Sequence, residues 1–264
     1  MYSLLSPGVY NSKISKNIKK GYLSFSLNLA HSNLSGFNVC PKAEKLINDG
    51  SNFQYPKKKY AKCSLDCVGN QGLASVYNTV LESRIKKTIA FFKDRNYFLN
   101  TLVYEVEKAI NQANNKKLIP VFRLNAYSDI LFERFKIKDN KNIFELFPGV
   151  NFYDYTKILN RKTPKNYQLT YSHFGNWSET LAALNTGLNV AMVFDTLPHT
   201  IKINNNIYNV INGDNTDLRL NEKINNKAVI VGLRFKAGKN KQERLKAGIK
   251  SRFVVPNNER AIIC

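Results

Sequence analysis

Leu23, Phe25, Leu27 and Leu29 alternate with Ser24, Ser26 and Asn28. A period of two predicts a half-buried strand. From about residue 73 to residue 92 the period lengthens to that of a helix, with Arg84, Lys86 and Lys87 on its polar side. Asp94 is placed to cap a second helix, on which Phe98, Leu102, Val106, Ala109 and Ile110 form one apolar stripe. That pattern fades in Asn114-Asn115-Lys116-Lys117. Short apolar runs follow at 119–124, 150–155, 167–171, 190–194 and 228–233, each predicting a strand. A helix is predicted at 177–186, with Asn176 and Glu179 in capping-box register and Gly187 as its stop. Residues 200–203 and 207–210, joined by three asparagines, predict a hairpin.

Strands alternating with helices predict an α/β fold of mainly parallel strands with flanking helices, plus the small β-hairpin. Only about eleven residues separate the run ending at Tyr155 from the one starting at Tyr167. A parallel crossover usually takes a dozen or more, so the expected form is an irregular or incomplete barrel. Residues 1–235 read as a single domain, with a cysteine-containing N-terminal part at 20–70. Residues 236–264 read as a basic tail.

Charge changes this picture. The 264 residues hold 40 Lys+Arg against 19 Asp+Glu, a formal charge of +21. Abundant Lys, Asn and Ile suit an AT-rich genome and account for part of the excess, but not for the shortage of acids. A field of this sign attracts phosphates, so nucleic acid or a nucleotide is the expected partner. No apolar run approaches the length of a membrane span, and the N-terminus lacks the features of a secretory signal. A cytoplasmic protein with no membrane partner is expected; the oligomeric state is not legible.

Two sets of residues could carry chemistry. Cys40, Cys63 and Cys67 lie early in the chain, the last two as Cys-x-x-x-Cys. Cysteines of an intracellular protein are rarely disulfides, and three gathered thiolates would hold zinc or an iron–sulfur cluster. His31, His173 and Cys264 are candidate fourth ligands. With none, one iron stays open, the arrangement that binds S-adenosylmethionine in radical enzymes. The radical motif proper, Cys-x3-Cys-x2-Cys, is absent, because its third position is Asn70. The competing reading is small buried hydrophobes. The second set gathers at predicted strand ends, where α/β proteins build their sites. Arg123, Asn125, Ser128 and Asp129 follow one strand; Asp154, Tyr155 and Lys157 close the next; Ser172 and His173 close a third. Asp214, Asp217 and Arg219 follow the hairpin. In this reading Arg123 and Lys157 bind anionic groups, and Asp129 or Asp154 serves in acid–base catalysis, with Lys157 also in the catalytic set. Asn125, Ser128, Tyr155, Ser172, Asp214, Asp217 and Arg219 contact substrate. No phosphate-loop, dinucleotide or hydrolase-elbow motif occurs. Tyr55 and Tyr60 around Lys57–Lys59 could stack on bases.

The order Gly21-Tyr-Leu-Ser, Leu29-Ala-His-Ser-Asn-Leu-Ser-Gly36, Asn38-Val-Cys-Pro-Lys-Ala43 and Cys63-x3-Cys67 resembles a family of bacteriophage proteins labelled gene product 88-like. The similarity continues through Pro120-Val-Phe-Arg-Leu-Asn125, Ser128-Asp129, Phe152-Tyr-Asp-Tyr-Thr-Lys157, Leu169-Thr-Tyr-Ser172 and Asp217-Leu-Arg219, covering about residues 20–235. The resemblance implies a phage or prophage origin and a Cys-Pro…Cys-x3-Cys arrangement, from which this chain departs by a longer insert after Cys40. It assigns no activity. The expectation is therefore a metal- or iron–sulfur-dependent enzyme acting on a phosphorylated or nucleic-acid-related substrate. The alternatives are a basic nucleic-acid-binding protein with a structural zinc, and a non-enzymatic accessory protein.

Overall fold

In the computed structural model, residues 3–8, 15–42, 78–220, 222–235, 254–256 and 261–262 are described. Cys63, Cys67, Cys264, Tyr55, Lys57–Lys59, Tyr60 and most of the basic tail lie outside them.

One row of side chains explains the centre of the molecule. Phe25 on β2 (Tyr22–Leu27), Phe122 on β3 (Ile119–Arg123), Phe152 on β4 (Asn151–Thr156) and Tyr167 on β5 (Tyr167–Ser172) are register partners on adjacent parallel strands. Phe25 stacks on Phe122 and Phe122 on Phe152, both with centroids 5.4 Å apart. Phe144 closes the row, edge-on to Phe152 and stacked on Tyr167 at 4.0 Å. It stands on α4 (Ile143–Leu146), a single turn held by a capping box between Asn142 and Glu145. Two long helices complete this core, α2 (Asn78–Lys93) and α3 (Arg95–Asn115), which contribute Phe91, Phe98, Leu102 and Val106. Asp94 caps α3 as expected, accepting from the Tyr97 N–H at 3.0 Å.

The sheet extends from this row in both directions. A short strand β1 (Leu5–Pro7) adds antiparallel to β2. Beyond β5, parallel pairing continues to β6 (Asn189–Phe194), then to β9 (Ile230–Arg234) and β8 (Asn206–Asn212). The hairpin partner β7 (Thr200–Ile203) runs antiparallel to β8. Two short strands from the predicted tail region also join, β10 (Val254–Val255) beside β6 and β11 (Ala261–Ile262) beside β7. The order is β1-β2-β3-β4-β5-β6-β9-β8-β7-β11 with β10 off the path, and the sheet does not close into a barrel. α5 (Trp177–Asn185) crosses between β5 and β6 and ends before Gly187, whose φ of +82° suits glycine. A second core gathers there around Tyr171, Val190, Met192, Phe194 and Ile230.

The serine face of β2 departs from the half-buried expectation. Ser24 and Ser26 are buried, like the leucines around them. A 3-10 helix at Ser15–Lys20 covers this face, and its Asn17 Nδ2 donates to the Ser24 hydroxyl at 2.8 Å. An interior strand of a parallel sheet is covered on both faces, so its polar alternation here marks internal hydrogen bonding rather than solvent. Among the described residues, no helix is long and apolar enough to cross a membrane.

Candidate active site

The loops after β2, β3, β4 and β5 leave the sheet at one rim. The β2 loop includes a short helix, α1 (Ser32–Ser35), ended by Gly36 in the left-handed region, and then delivers Cys40. The carbonyl of Val39 accepts from the Asp129 N–H at 2.8 Å, which ties this loop to the one after β3. Cys40 is half-buried, and its N–H is held by the Asn38 side chain at 2.9 Å. Two residues on, Lys42 pairs with Glu179 at 2.8 Å. Glu179 also accepts from the Tyr171 hydroxyl, and Asn176 caps α5 through the Glu179 N–H. Only part of the expected capping box forms, since the Glu179 carboxylate faces Lys42, Tyr171 and the Asn176 side chain.

Asp129 sits behind the rim in a closed ion pair. Its carboxylate accepts from the Arg161 guanidinium at 2.9 Å, the Thr156 hydroxyl at 2.9 Å and the Lys157 N–H at 2.7 Å. Burial raises its pKa, against the pull of the Lys157 N–H and Arg161. Arg161 in turn pairs with Glu133 at 2.8 Å. Asn125 and Ser128 bind each other, with the Ser128 hydroxyl donating to Asn125 Oδ1 at 2.7 Å.

Asp154 is two residues beyond Phe152 on the apolar face of β4, and it is wholly buried. It accepts from the Asn125 N–H at 2.8 Å and the Tyr167 hydroxyl at 3.0 Å. Burial pushes its carboxyl up to about 7, opposed chiefly by Arg123. Arg123 lies between two carboxylates, its Nε 3.9 Å from Asp154 Oδ1 and its Nη1 2.8 Å from Asp217. It also stacks on Tyr155, 4.8 Å from the ring centre. Burial disfavours its charge, but Asp217 and the tyrosines outweigh this and hold it protonated. Arg219 donates to the Tyr155 hydroxyl at 2.9 Å and to the carbonyls of Gly213 and Thr216. Arg123, Tyr155, Asp217 and Arg219 thus lock the loop after β8 against the sheet. Asp214 accepts from the Arg234 N–H at 2.9 Å, in the same loop.

Lys157 and Ser172 remain nearest the open rim. Both are half-buried, on adjacent strand ends, and the Lys157 ammonium donates to the Ser172 hydroxyl at 2.7 Å. Phe174 stands between cations, its ring centre 6.0 Å from the Lys157 ammonium and 5.2 Å from that of Lys42. Lys42 and Phe174 were not singled out in the sequence, where a lysine after Cys-Pro and a phenylalanine before Gly175 carry no signal. His173 is buried with both ring nitrogens engaged, Nδ1 with the Thr180 hydroxyl at 2.7 Å and Nε2 with the Gly175 N–H at 3.2 Å. Burial, with Lys157 nearby, lowers its pKa to about 4. It is neutral and occupied, which disfavours it as a metal ligand. His31 is buried at the start of α1.

Among the described residues, no three His, Cys, Asp or Glu side chains are grouped to hold a metal. Cys40 alone of the proposed triad lies within them. This is an open, mainly parallel α/β protein with a polar rim at its strand ends. The chain belongs to the gene product 88 family, whose model matches residues 3–256. No curated protein and no solved structure matches it.

Proposed function

We propose that this protein is a metal- or iron–sulfur-dependent enzyme acting at the rim on a phosphorylated or nucleic-acid-related substrate. One observation carries the reading. The loop after the first parallel strand brings Cys40 to the strand ends, pinned through Val39 to Asp129 and two residues from Lys42. Sites of α/β proteins form in that position. Cys40, Cys63 and Cys67 would hold the group. Bound there, zinc would supply a Lewis acid, and a cluster with an open iron would supply electrons and a place for S-adenosylmethionine. Lys157 and Lys42 bind the anionic part of the substrate, and Ser172 orients it. Lys157 is also the catalytic side chain of the rim. Asp129 fixes the Lys157 backbone, and Asp154 fixes Asn125; both act as positioning residues.

Purification without oxygen, followed by iron, sulfide and zinc analysis, tests this. Iron with sulfide, or about one zinc per chain, is expected, and it is lost in Cys40→Ala, Cys63→Ala and Cys67→Ala with the circular dichroism unchanged. A chain without metal, or one that keeps its metal in all three variants, overturns the reading.

A second reading, binding to nucleic acid as such, is favoured by where the acids sit. Asp129, Glu133, Asp217, Glu179 and Glu222 are engaged with cations inside the fold or along it. Asp154 is wholly buried. Among the described residues, lysines form ion pairs with acids at Lys42–Glu179 and Lys136–Glu145, which leaves most of the excess lysine charge facing outward.

A further inference from the structure

The β5–β6 pairing covers only Thr170 to Ser172 of β5, because β6 begins at Asn189, opposite Thr170. Beside the earlier residues of β5 the sheet has a notch, and a cleft of about 290 Å³ opens there. The connection after β4 lines one side, and the turn after α5 lines the other. Its wall includes Arg161, Arg219 and Lys223, the hydroxyls of Thr163 and Thr170, and no Asp or Glu among the described residues. Both arginines are fixed from behind. Arg161 is held by Asp129 and Glu133, and Arg219 by Glu222 and the Tyr155 hydroxyl. Lys223 differs. Its ammonium is hydrogen-bonded to the Gly187 carbonyl, a neutral acceptor at the mouth of the cleft. Partial burial lowers its pKa.

A cation held against a neutral carbonyl gains more from an anion placed in the same cleft. The nitrogens of both guanidiniums are engaged within the protein, so the Lys223 ammonium and the threonine hydroxyls are the donors left for phosphate oxygens. The volume lies at the lower bound for small-molecule pockets, which suits one nucleotide or sugar phosphate. We infer that this notch is a binding site for a small phosphomonoester, separate from the rim. The inference does not depend on a metal at Cys40.

The source of the phosphate is either a free metabolite or the phosphorylated end of a nucleic acid strand. Calorimetric titration of the full chain separates them, using a nucleoside 5′-monophosphate, the same nucleoside without phosphate, and a 5′-phosphorylated oligonucleotide. Saturable binding of the monophosphate but not the nucleoside is expected. Lys223→Glu should weaken it by about tenfold or more, whereas Lys227→Glu, an exposed charge outside the cleft wall, should leave it unchanged. Binding of the phosphorylated oligonucleotide but not the monophosphate, with the same loss in Lys223→Glu, would keep the site and assign it to strand ends. Equal weakening by both charge reversals would reduce the binding to diffuse surface attraction and overturn the site. So would an absence of saturable binding to either phosphorylated probe.

Discussion

At the scale of single residues, the buried Asp154 and His173 make stability depend on pH with opposite signs. Asp154 holds its proton up to about pH 7 in the folded chain, against a reference value of 3.8. Folding therefore takes up a proton between these values. Its contribution to stability is greatest at low pH and is lost as pH rises through about 7. Asp129, also raised by burial, acts in the same direction. His173 is depressed from 6.5 to about 4. Its contribution is complete above 6.5 and is lost as pH falls through about 4. Asp154→Asn keeps an acceptor for the Asn125 N–H and removes the titration. Denaturation by urea at about pH 5 and about pH 7.5 should show the Asp154 decline gone in the variant, so that its stability at the higher pH, relative to the lower, exceeds the parent's, with the opposite His173 term left in place. An unchanged pH dependence would count against an Asp154 that stays protonated to neutrality. Asp154→Ala is different, because it strands the buried Asn125 N–H and should cost about 1–3 kcal/mol at either pH. The sequence pointed to these aspartates by placing them at predicted strand ends. It could not show their direction. Asp154 shares a face with Phe152 and Asp129 is closed by Arg161, so both lie behind the rim rather than on it.

At the scale of elements, the strands and long helices were legible because their periods follow burial. The predicted hairpin and the two helices flanking Asp94 appear where the periodicity placed them. What escaped was short or irregular. β1 has three residues, α4 is a single turn, and the 3-10 helix at Ser15–Lys20 lies in a polar basic stretch. None spans enough residues to show a period. α4 is held by its cap, which leads to a prediction. Asn142 Oδ1 accepts from the Phe144 and Glu145 N–H groups, and its Nδ2 donates to the Glu133 carbonyl at 3.1 Å. Asn142→Ala should cost about 1–2 kcal/mol, read from the shift of the urea midpoint, because Phe144 closes the aromatic row. A variant as stable as the parent would mean that the core alone holds this turn. The parallel pairing of β8 and β9 gives a second test. A Cβ at Gly232 would lie 2.2 Å from Leu197 Cδ1 and 2.6 Å from Val210 Cγ1. Gly232→Ala should destabilise by about 1–3 kcal/mol through overpacking, and Leu197→Ala in the same chain should recover part of that loss.

At the scale of the whole molecule, the charge is arranged as well as large. The sequence reports +21, but not that several of the carboxylates face inward. Asp217 meets Arg123, Asp129 and Glu133 meet Arg161, and Glu105 accepts from the N–H groups of Leu4 and Leu5. Asp94 is occupied in capping α3. Each such pairing takes an acid out of the outward field, and the lysines outside keep theirs. A surface of this kind should bind nucleic acid through counterion release, whatever reaction the rim performs. Retention on single- and double-stranded DNA and on RNA should fall steeply and linearly in log–log terms as salt rises, with little dependence on base sequence. Cys40→Ala should leave that slope unchanged, because Cys40 carries no phosphate-binding charge, while any metal-dependent activity disappears. If the slope and the metal are lost together, the cysteine region itself forms the nucleic-acid interface, and rim and charge are one site. If retention is insensitive to salt, the basic excess is compositional, and the substrate must be recognised by the rim and the notch alone.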